Sequence, residues 1–154
     1  MSEQELTRYI GSTFEGVDVV EHAGDTYFLY DPDGDLPPER QHPFATIVTG
    51  DRHDRVSDLD HPGAYRLNIG LTKATYVSLF GAPPTRRDED GVLETGFDHA
   101  ERDRLTPHPV YADRHWVCVV TPGGATLEAV RPLLAEAHAF AARKHANFVR
   151  RAGS

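Results

Sequence analysis

Residues 44–50 read Phe-Ala-Thr-Ile-Val-Thr-Gly, an apolar and β-branched run closed by glycine. The run is too short for a helix and too apolar for an exposed strand. It therefore predicts a strand buried inside a sheet. Val17–Glu21 and Thr26–Asp31 are β-rich and separated by Ala23-Gly24-Asp25, which predicts a hairpin on one side of it. Residues 65–70 form a further strand, with Leu67 and Ile69 alternating with Arg66 and Asn68. His115–Val120 reads as the last of about five strands, and hairpin-type links make the sheet mainly antiparallel.

Helices close the pattern. Ser2 and Glu5 have capping-box spacing ahead of a helix over residues 3–13. Thr72 caps a short helix at 73–80, which Gly81 ends. Leu127, Val130, Leu134, Ala137 and Ala141 mark the buried stripe of a last helix over 126–145, where Pro132 predicts a kink or a late start. Residues 82–109 form a long polar connection, with a short helical piece expected near Asp98–Leu105. The expected order is α-β-β-β-β-α-β-α in a single α+β domain over residues 1–148. Residues 149–154 are expected to be a flexible C-terminal tail.

Composition removes several classes. Of 154 residues, 39% are hydrophobic and one is cysteine, so an intrachain disulfide is impossible. No apolar run reaches the length of a membrane helix, and the acidic N-terminus lacks the apolar core of a secretory signal. A cytoplasmic protein is expected. The net charge of -8 lies wholly in residues 1–35, which hold nine acids and only Arg8 as a base. That acidic hairpin repels phosphate and disfavours nucleic acid as a partner. A small-molecule ligand or a protein partner remains.

The motifs exclude more chemistry than they offer. Asp31, Asp33 and Asp35 alternate as in a calcium loop, but Leu36 and His42 stand where such a loop needs Gly and Glu. His53, Asp54, Asp58, Asp60 and His61 are dense in ligand atoms, yet their spacing fits no zinc motif. His138 and His145 are seven apart rather than four. Neither a metal nor a cofactor is expected. Cys118 lies mid-strand between valines, and no Ser sits in a nucleophile elbow. No lysine follows Gly123-Gly124 to make a phosphate loop.

Arg66 and Asn68 are the strongest candidates for ligand binding. If helices cover Leu67 and Ile69, the polar pair faces the other way, where a guanidinium and an amide can hold a carboxylate or phosphate. His42, His108 and Trp116 flank strands and supply titratable groups and an apolar wall. The 82–109 connection is placed to fold over this face.

Residues 42–51 (HPFATIVTGD), 57–71 (SDLDHPGAYRLNIGL) and 115–145 resemble a bacterial family of short acidic proteins with no assigned function. Two positions depart from its pattern, His53 where Tyr is expected and His61 where Arg is expected. More distantly, the order of elements is similar to the MmcQ/YjbR-like domains. That resemblance implies a secretion-chaperone-like α+β fold, and some of its members have been suggested to bind DNA. The leading expectation is a binding or accessory domain for a small anionic or aromatic ligand, or for a protein partner. The alternative is a small cofactor-independent enzyme using His and Arg for acid–base work. Weak nucleic-acid binding stands third.

Overall fold

The computed structural model describes residues 1–153, so Ser154, the end of the expected tail, lies outside the described residues. The chain runs α1 (Glu3–Thr13), β1 (Val17–His22), β2 (Asp25–Tyr30), β3 (Ala45–Val48), β4 (Arg66–Gly70), α2 (Lys73–Phe80), β5 (Leu105–Pro107), β6 (Trp116–Val120) and α3 (Gly124–Ala152). Single 3-10 turns stand at Pro38–Arg40 and Ala112–Arg114. The strands form one antiparallel sheet in the order β1-β2-β3-β4-β6-β5. The protein is thus a single α+β domain with three helices.

Local chemistry sets the helix starts. Ser2 Oγ accepts the Glu5 backbone N–H at 3.2 Å, and the Glu5 carboxylate accepts the Ser2 N–H at 3.3 Å. Both bonds satisfy amides that a helix N-terminus leaves without partners. Thr72 caps α2 through Thr75 N–H in the same way, at 3.3 Å.

Three expectations are corrected. The sheet has six strands rather than five, because Leu105–Pro107 pairs with β6 inside the polar connection. Three residues are too few for a period to show. The helical piece expected near Asp98–Leu105 does not form: residues 98–104 are turn and bend with one isolated bridge at Arg102. The last helix begins at Gly124 and runs through Pro132 to Ala152, rather than over 126–145. A proline inside a helix costs about 3 kcal/mol. Leu127 and Val130 before it, and Leu134 and Ala137 after it, are all buried, and their packing holds the helix continuous.

Strand register divides the sheet into two faces. Phe28, Ala45 and Ile47, Leu67 and Ile69, and Val117 and Val119 stand opposite one another along one face. Leu6 and Ile10 of α1, Tyr76 of α2 and the α3 stripe pack onto these residues as the main core. The other face carries Tyr27, Thr46, Asn68, Cys118 and Thr106 in one row, and Val48, Arg66 and Val120 in the next. Loops, not helices α1 and α3, lie against it.

Candidate functional site

The alternation in β4 sends Arg66 and Asn68 to the face opposite α1 and α3. Both are buried, Arg66 at 2% exposure. A buried guanidinium needs an anion and full hydrogen bonding. Asp54, from the loop between β3 and β4, supplies both: its two carboxylate oxygens accept from Arg66 Nη1 at 3.1 Å and Nη2 at 3.0 Å. Nη1 also donates to Ser57 Oγ at 2.9 Å, and Nε donates to Asn68 Oδ1 at 3.0 Å. Asn68 Nδ2 passes the chain on to Thr46 Oγ1 at 2.9 Å. One fork therefore ties the 49–65 loop to the polar floor of two strands, β3 and β4.

His108 and His99 enter from the long connection. Both are buried, and both lie close enough to Arg66 to feel its charge. Burial first, and then Arg66, hold His99 below the usual imidazole range. The same causes, with His99 added, hold His108 well below it. His108 Nδ1 accepts the backbone N–H groups of Val110 and Tyr111, each at 3.0 Å. A neutral ring used so must carry its proton on Nε2, so His108 is a donor in a fixed tautomer. His99 shares a 2.7 Å bond between Nε2 and Thr95 Oγ1, while its buried Nδ1 has no partner.

Trp116 shares the face. It stands opposite Gly70, and its indole lies over that residue: a Cβ there would sit 2.9 Å from the ring. Only glycine admits this approach. Tyr27, half-buried, and Tyr111, 48% exposed with its ring centroid 5.1 Å from that of His108, give further aromatic surface.

Four of the five residues singled out in the sequence thus lie together: Arg66, Asn68, His108 and Trp116. His42 does not join them; it is exposed in the loop leading into β3. Sequence reasoning missed Asp54 as the partner of Arg66, and also Ser57, Thr46 and His99. The dense His/Asp segment disperses. His53 Nε2 meets buried Asp25 at 2.8 Å, His61 meets Asp58 at 3.0 Å, and Asp60 and Asp51 accept loop amides. Among the described residues no group of three or more His, Cys, Asp or Glu could hold a metal ion.

The Arg66 fork is already filled by a carboxylate. Burial pushes the Cys118 thiol up, away from thiolate. Of the cavities, one of 610 Å³ lies between α1 and the β1–β2 turn, and another of 160 Å³ lies beside α2; Arg66 lines neither. No helix among the described residues is long and apolar enough to cross a membrane. The family model that matches the chain covers residues 1–152 and describes a family of unknown function. No curated protein and no solved structure matches.

Proposed function

The chain belongs to that family, DUF6194, and we propose that it is a non-catalytic binding domain for a small aromatic ligand bearing an anionic group. The observation that carries this reading is the convergence of Arg66, Asn68, His108 and Trp116, from three separate segments, on one sheet face opposite α1 and α3. The ring of the ligand lies against Trp116, and His108 Nε2–H donates to its acceptor. Its anion takes the place of Asp54 on the Arg66 fork, which is shaped for two oxygens.

Donor-only His108 and a buried thiol support binding over catalysis. The acid–base alternative draws on one observation, the unpartnered Nδ1 of His99. The likeness to MmcQ/YjbR-like domains rests on the order of elements and brings no site. A cytoplasmic setting is proposed on the same terms, and the acidic N-terminal segment weighs against nucleic acid.

Trp116 is the sole tryptophan, so its fluorescence reports directly on this face. A panel of aromatic carboxylates and their neutral amides should separate, with the carboxylates alone giving a saturable change. Asp54→Asn, confirmed folded by circular dichroism, removes the internal competitor and should tighten binding, whereas Trp116→Phe, read by thermal shift, should weaken it. Equal response to acids and amides, or an Asp54→Asn variant that binds no better, would place the ligand elsewhere. Steady consumption of any panel compound would favour the enzyme.

A further inference from the structure

The outer strand β1 presents an open edge. It pairs with β2 over six consecutive positions without a bulge, and no strand pairs its other side. Five of its six residues are exposed, and none is proline. Such an edge is a row of backbone donors and acceptors awaiting another strand, which proteins usually blunt with lysine, proline or a bulge. Here none of these is present.

What the edge carries instead is acid and valine. Asp18 and Glu21 are three apart and so point to opposite faces. Val19 and Val20 lie between them, 37% and 38% exposed. Glu21 also lines the 610 Å³ cleft together with Glu3 of α1. Among the described residues, Glu3, Asp18 and Glu21 have no cationic partner. A second copy of the chain would bring the same two acids and no Lys or Arg to the shared edge, and like charges across strands destabilise a pair.

We infer that the free edge of β1 takes up an extended basic segment of a partner protein as an added strand. The segment reads basic–apolar–apolar–basic, its cations opposite Asp18 and Glu21 and its apolar pair opposite Val19 and Val20. The pattern is the same in both directions, so it fits parallel or antiparallel addition. Main-chain bonds supply affinity and the alternate side chains supply selectivity.

The test uses the full chain and a synthetic peptide as long as β1, with Arg and Lys flanking two valines. An acidic peptide of the same pattern and a copy of the basic peptide with alternate amides N-methylated are the controls. Binding of the basic peptide should slow amide exchange at residues 17–22, and N-methylation should abolish it. Asp18→Lys/Glu21→Lys, exposed changes checked for folding by circular dichroism, should weaken the basic peptide by about tenfold or more and admit the acidic one. Four results overturn the inference: no binding at millimolar peptide, protection confined to other residues, indifference to N-methylation, or a chain already dimeric through β1 by sedimentation and exchange.

Discussion

The two faces of the sheet are held by different physics. Under the helices, Leu67, Ile69, Val117 and Val119 are wholly buried against Ile10, Val130 and Leu134. Contacts there are numerous and non-directional, and the stabilisation scales with area. On the opposite face, Arg66, Asn68, Thr106 and His108 are also buried, but each relies on one to three named partners. An apolar face loses stability in proportion to the atoms removed. A polar face loses it when any partner is left behind uncompensated. The helix face therefore yields by degrees, whereas the loop face fixes a single arrangement of loops over the sheet.

The largest expected effect tests the fork. Arg66→Met strands a nearly buried Asp54 carboxylate and should cost about 3–5 kcal/mol. Adding Asp54→Leu removes both charges and should restore most of that loss. Urea melts in which the double variant is as damaged as the single one would break the distinction. On the helix face, Leu134→Ala should cost about 2–5 kcal/mol, with no second substitution on a partner able to restore it. Gly70→Ala pushes a methyl into the Trp116 ring and should cost about 1–3 kcal/mol with a shift in indole emission. An unshifted spectrum would mean that the indole does not lie over Gly70.

The smallest effect is in pH. His99 and His108 bind protons less readily folded than unfolded, where the ordinary value is 6.5. The unfolded chain therefore takes up more protons as pH falls below that value. The stability these rings confer is complete above about pH 6.5 and is lost progressively beneath it. His108→Asn keeps an acceptor for the amides of Val110 and Tyr111 but cannot titrate. Its melting temperature should fall less steeply than that of the wild type between pH 7 and pH 5, and parallel slopes would remove His108 as a source.

Much of this was legible because strands and helices impose periods. The alternation in β4 placed Arg66 and Asn68 away from Leu67 and Ile69, and the stripe from Leu127 to Ala137 identified the face of α3. Asp54 was not legible as a partner. It lies in an irregular loop, where side-chain direction follows from turn geometry that no spacing encodes, and its segment is crowded with equivalent acids. His99 was hidden for the same reason. β5 escaped because three residues carry too little alternation for a strand to be read from them. His42 looked equal to His108 in sequence, and only the tertiary path separates an exposed loop from a covered face.

The strand order has a kinetic consequence. β1 through β4 follow one another in the chain and neighbour one another in the sheet, so this meander can zip over comparatively short closures. β6 must then find β4 across the whole of α2 and the long connection, leaving β5 outside. Closing a longer loop costs more entropy before any contact rewards it, and distant pairings slow folding. Docking of β6 is therefore expected to come last. Because Cys118 and the two histidines arrive with it, the Arg66 fork stays open to water until that final step. Pulse-labelled exchange during refolding should show amides of β2 and β3 protected before those of β6, and simultaneous protection would instead mark a single concerted closure.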